Sequence, residues 1–294
     1  MSYKIVFSDV DGTLLDSEHR VLPGTLAAIR QLQMQGIPFV IISARSPAGI
    51  YPILKENHFT CPIIAYSGAL ILDEDRKVLY SDDFEKETAV RVIDFIEENQ
   101  MDCTWNIYTI PYRTDPACPA EAGVTGCSPG IEDTWIVKDK TDPRVVREEN
   151  IVHAYAAEGT AADLPEGARI GKILCMCSPD RILDIEERLK AEFPELSIVR
   201  SSGILLEIMQ MGVTKQSAVE KLCGLWKIPL HSTVAFGDHY NDVEMLETAA
   251  MPFLMGNAPE ELKNRFSNIT DSNDEEGIWH ALLKIGLVKE LPPK

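Results

Sequence analysis

Apolar runs and amphipathic stretches alternate in the first part of the chain. Three short, mainly apolar runs occupy residues 3–8, 37–42 and 62–66, which favours buried strands. The segments between them carry apolar residues at helical spacing, as Leu26 and Ile29 do in the first of these segments. This strand–helix–strand–helix–strand order predicts a parallel sheet with right-handed crossovers.

The pattern changes in the middle of the chain. A hairpin pattern over 69–80 precedes an amphipathic helix over 85–99. Cys103, Trp105 and Ile107 then alternate with polar residues, which predicts a half-buried strand. Further strands are expected over 135–137, 170–176, 197–200 and 204–209, with a helix after Ser178-Pro179. The mixture of hairpins and helices indicates an α+β region.

The first pattern returns near residue 214. Thr214 is placed to cap a helix, and the apolar run 233–236 follows as a strand. Short strands are expected over 252–255 and 268–270, and helices over 259–266 and 278–285. We therefore predict an α/β fold: a Rossmann-like parallel-sheet core formed by 1–81 and 212–294, with an α+β domain inserted over 82–211.

The predicted core strands end at polar residues. Asp9 and Asp11 follow the first strand with one residue between them, and Gly12 permits a sharp exit of the chain. The other strand ends carry Ser43, Ser67, Asp238 and Asn257, and Lys215 begins a helix. Parallel strands point the same way, so we expect these residues to meet at one edge of the sheet, where open α/β folds bind ligands.

The charged residues at this edge predict a metal. The expected groups are four carboxylates, of Asp9, Asp11, Asp238 and Asp242, and two cations, of Lys215 and Arg45. The excess of two negative charges matches one divalent cation. Because every candidate ligand is a hard oxygen, the expected ion is Mg²⁺. His239 is expected to be a loop residue near the site, not a zinc ligand.

Composition narrows the choice of partners. A net charge of -18 over 294 residues argues against nucleic acids and anionic membranes. The sequence has neither an apolar run long enough to span a bilayer nor the pattern of a signal peptide, which favours a cytoplasmic protein. Its seven cysteines lack the spacing of a zinc site, so we expect reduced thiols.

A known family carries the same motifs in the same order. The chain resembles the haloacid dehalogenase superfamily of phosphohydrolases in Asp9-Val10-Asp11-Gly12-Thr13, Ser43, Lys215 and Gly237-Asp238-His239-Tyr240-Asn241-Asp242. The long insertion between Ser43 and Lys215 is similar to the Cof-type branch, which carries a large α/β cap domain. Two segments depart from the usual pattern: Ser43-Ala44-Arg45 stands in place of Thr-Gly-Arg, and Ser67-Gly68-Ala69 in place of Asn-Gly-Ala.

The resemblance implies a role for each motif. Asp9 would be the nucleophile that forms an aspartyl-phosphate, and Asp11 would be the general acid and then the base for water. The implied metal residues are Asp9, Asp11 through its backbone carbonyl, and Asp238, with Asp242 in support of the metal and of Lys215. The implied substrate-binding residues are Gly12, Ser43, Lys215, Asn241 and Arg45, although a surface position fits Arg45 equally well.

These roles imply a Mg²⁺-dependent phosphatase that acts on small phosphate monoesters, such as sugar phosphates, with a small phosphorylated metabolite as its partner. Two alternatives share the motifs: a sugar phosphomutase of the same superfamily, and a non-catalytic sugar-phosphate sensor. An ion-pumping ATPase is disfavoured, because such pumps have threonine where Asp11 stands. The sequence leaves the physiological substrate and the oligomeric state open.

Overall fold

The structure, a computed structural model, describes residues 3–110, 134–152 and 154–290. Within it the chain forms two compact units. The first contains Met1–Arg45, Ile50–Tyr80 and Val213–Lys294, and the second contains Ser46–Gly49 and Ser81–Gly212. The predicted bounds, 1–81 with 212–294 and 82–211, stay our proposal for the parts of the chain that fold as core and cap domains.

Strands and helices alternate in the first and last parts of the chain, as predicted. In chain order the strands are β1 (Ile5–Ser8), β2 (Phe39–Ile42), β3 (Ile63–Ala65), β4 (Leu70–Leu72), β5 (Val78–Ser81), β6 (Phe84–Glu85), β7 (Cys103–Thr109), β8 (Trp135–Val137), β9 (Ala157–Glu158), β10 (Arg169–Cys177), β11 (Leu196–Arg200), β12 (Leu205–Gln210), β13 (Thr233–Gly237) and β14 (Met251–Leu254). The helices are α1 (Pro23–Met34), α2 (Pro47–Glu56), α3 (Lys86–Glu98), α4 (Pro143–Val152), α5 (Ile182–Glu192), α6 (Lys215–Trp226), α7 (Val243–Thr248), α8 (Glu260–Lys263) and α9 (Gly277–Lys284).

A twisted, mainly parallel sheet forms the centre of the first unit. Its strand order is β14-β13-β1-β2-β3-β4-β5. The five strands from β14 to β3 run parallel, and β4 returns antiparallel to β3. Because β1 lies in the middle and β13 beside it, the carboxyl ends of strands from both ends of the chain meet at one edge. The sheet confirms the predicted α/β class.

Burial on both faces explains why the core strands read as continuous apolar runs. Ile5 and Phe7 of β1 belong to one apolar cluster with Ile42 of β2 and Leu222 of α6. Val6, which points to the opposite face, is buried as well. A strand that is covered on two faces has no exposed position at which a polar residue would be favoured.

The sheet of the second unit is of a different kind. Its strand order is β11-β12-β10-β7-β8-β9, and β6 also pairs with β10. The pairs are antiparallel except that of β8 with β9. Helices α3 and α5 contribute Ile93 and Leu189 to an apolar cluster that includes Ile107 of β7 and Ile173 of β10. Antiparallel strands covered by helices on one face confirm the predicted α+β region.

The prediction that β7 is half-buried is wrong. Thr104, Asn106 and Tyr108, on the face opposite the apolar cluster, are buried too. The side-chain amide of Asn106 donates to the Leu174 carbonyl at 3.0 Å, and its side-chain oxygen accepts from the Trp135 indole N–H at 3.0 Å. Polar side chains that satisfy one another in this way can be buried, so alternation with polar residues did not mark an exposed face.

Two elements predicted near the carboxyl terminus are shorter in the structure. Residues 268–270, predicted as a strand, form only a single parallel bridge between Ile269 and Leu254. The Leu254 N–H donates to the Asn268 carbonyl, and the Leu254 carbonyl accepts from the Thr270 N–H, so these two hydrogen bonds flank Ile269. The helix predicted over 259–266 narrows to α8, which is capped at Asn264. The sequence pattern does not predict α4, whose buried residues are Val145 and Val152.

Some predictions lie outside the described residues. The composition of residues 111–130 predicts an irregular loop, and this segment, with Cys118 and Cys127, is one of them. In the part of the chain that the structure describes, no helix is both long and apolar enough to cross a membrane.

Candidate active site

Two neighbouring strands of the core sheet bring carboxylates to the same edge. β1 and β13 are parallel, with Ser8 opposite Phe236. Asp9 follows β1 directly, and Asp238 follows Gly237, the last residue of β13. The backbone N–H of Asp9 donates to the Phe236 carbonyl at 3.1 Å, which continues the pairing one residue beyond β1. The two strand ends therefore meet as predicted.

Lys215 links two of these carboxylates. It is the first residue of α6, and Thr214 caps that helix by accepting a hydrogen bond from the Ser217 backbone N–H at 3.0 Å. The Lys215 ammonium lies 2.6 Å from Asp9 Oδ1 and 2.6 Å from Asp242 Oδ1, and its side chain is only 2% exposed. Burial lowers the pKa of Lys215, but Asp242 and Asp9 outweigh burial and hold the pKa above its ordinary value. The ammonium therefore stays charged.

Asp9, Asp238 and Asp242 form an acidic cluster. One carboxylate oxygen of each lies within 4.8 Å of the others. Burial raises the pKa of Asp9 well above its ordinary value, although Lys215 opposes this effect, and the negative charges of Asp242 and Asp238 add to it. Burial and the charge of Asp242 also raise the pKa of Asp238 to about 6. The negative charges of the three crowded carboxylates exceed the single positive charge of Lys215. Carboxylate oxygens are the ligands that a hard divalent cation prefers, so these residues fit Mg²⁺.

Asp242 is the most heavily hydrogen-bonded of the three. It is fully buried, and its Oδ1 accepts from Lys215. Its Oδ2 accepts from the backbone N–H groups of Asp238 and His239, both at 3.0 Å. Asp242 therefore positions Lys215 and the loop after β13, and the carboxylates of Asp9 and Asp238 are better placed to bind a cation.

In the first motif, Thr13 bonds to the Asp238 carboxylate and Gly12 lies close to it. The Thr13 hydroxyl donates to Asp238 Oδ1 at 2.9 Å. Gly12 has a φ of +80°, and a Cβ at this position would lie 2.4 Å from Asp238 Oδ2. The Asn257 side chain donates to the Gly12 carbonyl at 2.8 Å. Sequence reasoning placed Asn257 at this edge but assigned no function to it or to Thr13.

The side chains of three predicted site residues, Asp11, Arg45 and Asn241, are not part of the acidic cluster. The Asp11 carboxylate pairs with Arg45 instead, through Nε to Oδ2 at 2.9 Å and Nη2 to Oδ1 at 2.6 Å. The Arg45 side chain is 8% exposed and that of Asp11 is 50% exposed. Asn241 is exposed, and among the described residues no hydrogen bond joins its side chain to the cluster. The Arg45 side chain is thus buried against Asp11 and is not at the surface, and its role in substrate binding stays a prediction.

A strained turn after β3 holds the loop that carries Ser43. The Ser43 carbonyl accepts from the Ser67 N–H at 2.9 Å, and the Arg45 carbonyl accepts from the Tyr66 N–H at 3.0 Å. Tyr66 and Ser67 both adopt left-handed backbone angles, with φ of 52° and 55°. Such angles are unfavourable for residues other than glycine and cluster at functional sites. Ser43 itself is buried, and its Oγ accepts from the Arg45 N–H at 3.1 Å.

Several known proteins are similar to this chain over most of its length. The chain matches the family model of haloacid dehalogenase-like hydrolases over residues 6–282. A relative from Haemophilus influenzae, named provisionally as a phosphatase, is 34% identical over 278 residues, which cover 95% of this chain and 96% of that protein. From Bacillus subtilis, 5-amino-6-(5-phospho-D-ribitylamino)uracil phosphatase YwtE is 26% identical over 288 residues, which cover 95% of this chain and 96% of YwtE.

The fold has close counterparts among solved structures. The crystal structure of a haloacid dehalogenase-like hydrolase from Bacteroides thetaiotaomicron superposes with a TM-score of 0.81 at 23% identity. The match covers 97% of this chain and 100% of that one.

The family model spans almost the whole chain, and a relative above 30% identity does so too. The chain therefore belongs to the haloacid dehalogenase-like hydrolase family. Within it, the chain is a phosphatase, as the motifs predicted.

Proposed function

We propose that this phosphatase hydrolyses small phosphate monoesters with Mg²⁺ as its cofactor and with an aspartyl-phosphate on Asp9 as its intermediate. The observation that carries the proposal is the buried contact of Lys215 with Asp9 and Asp242, beside Asp238. One ammonium among three carboxylates leaves two negative charges uncompensated, while Asp11 and Arg45 compensate each other. That excess suits one divalent cation.

The chain offers a hard-oxygen site for this ion. Asp9 and Asp238 would hold Mg²⁺ with their carboxylates, and Asp11 with its backbone carbonyl. When bound, Mg²⁺ supplies positive charge that neutralises phosphate oxygens. Asp242 belongs to the predicted metal residues, but both its oxygens already accept hydrogen bonds from protein donors. We assign it the supporting role of holding Lys215.

Asp9 is positioned as the nucleophile. Its backbone is fixed at the end of β1, and Lys215 holds its Oδ1. In the first step a carboxylate oxygen of Asp9 bonds to phosphorus, and the bond from phosphorus to the ester oxygen breaks while Asp11 donates a proton to that oxygen. In the second step water attacks the phosphorus of the aspartyl-phosphate, Asp11 accepts a proton from the water, and phosphate leaves Asp9.

The phosphoryl oxygens need donors, because phosphoryl transfer is governed by positioning and charge neutralisation. The Ser43 hydroxyl, the Lys215 ammonium and the backbone N–H of Gly12 are the donors that we propose. Arg45 would exchange its contact with Asp11 for a contact with substrate, which frees Asp11 to transfer protons. Asn241 is assigned to the exposed rim of the site.

The substrate class is argued from charge and from the relatives. A net charge of -18 disfavours polyanions, so a small phosphorylated metabolite is the expected partner. YwtE is named for a ribityl phosphate ester, which is a polyhydroxylated alcohol phosphate. Sugar phosphates and related esters are therefore the first class to test. The cytoplasmic location expected from the sequence stays a prediction.

The test measures phosphate release from sugar phosphates, nucleotides, flavin mononucleotide and pyridoxal phosphate, with Mg²⁺ and with a chelator. We expect turnover that requires Mg²⁺ and falls at least about a thousandfold in Asp9→Asn, because the nucleophile is lost. Asp94→Asn, on the exposed side of α3, is the matched control and should keep full activity.

A second experiment addresses the intermediate. With p-nitrophenyl phosphate, whose leaving group needs no acid, Asp11→Asn should form the aspartyl-phosphate and hydrolyse it slowly. Acid quenching and intact mass should then show one added HPO₃ group, on the peptide that contains Asp9. Transfer of phosphate to a second hydroxyl of the sugar would point to the mutase, and tight binding without turnover would point to the sensor; either result would overturn the proposal.

A further inference from the structure

Three cysteines meet on one face of the second unit's sheet. β7 and β10 are antiparallel neighbours, with Cys103 directly opposite Cys177 and Trp105 opposite Cys175. Side chains at alternate positions of a strand share a face, so all three thiols point to the same side. Cys175 and Cys177 are buried in the apolar cluster, Cys103 is half-buried at its border, and each is a free thiol.

The pairing of Cys103 with Cys177 suits a disulfide. The Cys103 N–H donates to Met101 at 2.8 Å and the Cys177 N–H donates to Ile204 at 2.7 Å, so the two cysteines do not exchange backbone hydrogen bonds. Opposed residues of this kind have Cα atoms about 4.5 Å apart. Disulfides span Cα distances of about 4.4–6.8 Å. A bridge between Cys103 and Cys177 therefore needs little movement of either strand.

Cys175 is less well placed for such a bridge. It is the diagonal neighbour of Cys103, and diagonal pairs are separated by about 7–8 Å. Cys103 and burial both raise the pKa of Cys175, so the two thiols are close enough to interact. The geometry thus distinguishes a bridging partner, Cys177, from a neighbour, Cys175, that does not lie directly opposite Cys103.

The surroundings favour a negative charge on Cys103. Hydrogen bonds from the thiols of Cys175 and Cys177, together with the positive charge of Arg144, lower the pKa of Cys103 to about 4, although burial and Asp102 oppose this. Of the three thiols Cys103 is the least buried. A thiolate that accepts two hydrogen bonds beside an arginine is a reactive microenvironment.

Reagents can also approach Cys103. It lines a cavity of about 440 Å³ that is bordered by Met101, Thr104, Lys138 and Asp142. Lys138 borders the cavity with a positive charge, although it is paired with Glu97, and the charge of Arg144 also acts on Cys103. Small polar molecules therefore have a route to Cys103, whereas Cys175 and Cys177 lie behind it.

We propose that Cys103 is a site of reversible thiol modification, at which hydrogen peroxide or a related hydroperoxide drives the formation of a disulfide with Cys177. This inference concerns the second unit alone and does not depend on the proposed catalytic function.

The chemistry balances in two steps. The Cys103 thiolate attacks one peroxide oxygen, the O–O bond breaks, and after one proton is taken up the products are Cys103 sulfenic acid and water. Cys177 sulfur then attacks the Cys103 sulfur, and the sulfenic oxygen leaves as water with the Cys177 proton. Together, two thiols and one peroxide give one disulfide and two waters.

Loss of charge on Cys103 helps the second step. The interaction with the negatively charged Cys103 thiolate, together with burial, raises the pKa of Cys177, whose thiol donates to the Cys175 carbonyl at 3.8 Å. Once Cys103 is a neutral sulfenic acid, that negative charge is gone. Cys177 can then lose its proton and attack.

The first test needs no variant. Reduced full-length protein is alkylated with iodoacetamide from pH 5.5 to pH 8, and the peptides are quantified by mass spectrometry. We expect the labelling rate of Cys103 to change less than about threefold over this range, whereas a thiol of ordinary pKa slows by more than about a hundredfold. A hundredfold fall for Cys103 would overturn the proposal.

The second test identifies the bridge. After peroxide treatment and blocking of free thiols, tryptic peptide 92–113 should be linked to 173–181, which contains both Cys175 and Cys177. Variants therefore identify which of these two cysteines forms the disulfide with Cys103. Cys175→Ser should keep the linkage between the peptides, and Cys177→Ser should lose it. In Cys177→Ser, Cys103 should instead be trapped by dimedone as the sulfenic acid.

The remaining outcomes count against the proposal. A link that survives in Cys177→Ser, or peroxide treatment that leaves peptide 92–113 unmodified, would overturn it. Protection of all three thiols by Zn²⁺, with no reaction toward peroxide, would show a metal site instead. Cys223→Ser, a thiol of the first unit, is the matched control and should leave the linkage unchanged.

Discussion

The Lys215 ammonium pairs with two carboxylates that are buried away from water. Its distances to Asp9 and Asp242 are both 2.6 Å, and the three side chains are almost completely buried. Such a contact is a poor source of net stability, because the desolvation of the charges opposes their attraction. Its value lies in position, since the same ammonium orients the proposed nucleophile and contributes charge to the site.

Removal of the Lys215 charge should destabilise the protein. In Lys215→Met, Asp9 and Asp242 are left buried without a cation, and we expect the free energy of unfolding to fall by about 3–5 kcal/mol. Part of the loss should return when Mg²⁺ is added, because the ion supplies positive charge to the same carboxylates. Chemical denaturation with and without Mg²⁺ measures both effects.

The control is Lys221→Met on the same helix, which removes an exposed ammonium stacked over Tyr80. It should cost less than about 1 kcal/mol and show no additional response to Mg²⁺. Equal losses in the two variants would contradict the role given to the buried contact.

Gly12 supports the site through the side chain that it lacks. In Gly12→Ala the new Cβ would meet Asp238 Oδ2 at 2.4 Å, so the carboxylate must move. We expect the Mg²⁺ concentration for half-maximal activity to rise about tenfold or more, and kcat to fall. A Mg²⁺ titration of the phosphatase rate measures both.

Gly36→Ala separates this contact from backbone strain. Gly36 has a similar φ of +69°, but a Cβ there has nothing within 4 Å. Both variants should lose about 1–2 kcal/mol of stability from the left-handed conformation. Only Gly12→Ala should change the Mg²⁺ requirement, and the same shift in Gly36→Ala would argue against a specific contact with Asp238.

Among the elements, helix α6 matters because its first residue is Lys215. Its N-terminus is fixed by Thr214 and Ser217, each of which accepts or donates across the first turn. The position of the ammonium is therefore set by a helix cap.

Loss of this cap should reduce both stability and activity. Thr214→Ala removes the oxygen that accepts from the Ser217 N–H, which costs about 1 kcal/mol at a helix N-terminus. Because Lys215 follows directly, we expect kcat to fall at least a few fold as well. Thr214→Ser keeps the oxygen and should retain stability and rate. Urea denaturation measures the stability, and steady-state kinetics measure the rate. A Thr214→Ala variant that loses stability but keeps its activity would show that the cap does not position Lys215 for the reaction.

The sequence predicted elements well where local patterns decide them. β1, β2 and β13 are short apolar runs covered on both faces, and the cap at Thr214 needs only neighbouring residues. The prediction from sequence was wrong where residues distant in the chain determine whether a side chain is buried. Asn106 is buried because Trp135 and the Leu174 backbone, far along the chain, satisfy its amide.

The same distinction holds within the site. Asp9, Asp238 and Lys215 meet because parallel strands and a helix start at one sheet edge, a consequence of topology that the sequence implies. The pairing of Asp11 with Arg45 and the contact of Asn257 with Gly12 depend on loop conformations and side-chain rotamers. Neither of these two contacts can be predicted from the spacing or the type of the residues.

Considered as a whole, the molecule is strongly acidic, with a net charge of -18. Carboxylates whose charged form is stabilised by folding should therefore govern its response to acid. Asp16 is one of them: burial raises its pKa, but hydrogen bonds from Arg20 and Glu18 outweigh burial and hold the pKa below its ordinary value. Its side chain is 3% exposed in the loop after β1.

The sign of the pH dependence follows. A carboxylate with a lowered pKa in the folded protein stabilises the fold fully above its unfolded pKa of about 3.9 and loses this contribution as pH falls through the folded value. Asp16→Asn should thus be less stable than the unsubstituted protein at pH 7, and the difference should shrink below pH about 4. Melting temperatures from pH 7 to pH 3 measure this, with Asp94→Asn as the exposed control. A difference that grows in acid would contradict it.

The strand order β13-β1-β2 also has a consequence for how the protein is made. β1 leaves the ribosome well before its neighbour β13, which lies more than two hundred residues later. At bacterial or eukaryotic synthesis rates of about 5–20 residues per second, the wait is on the order of tens of seconds. During that time the nascent chain carries Asp9 without Asp238 and Lys215, so the proposed active site cannot assemble until β13 and the loop after it have been synthesised.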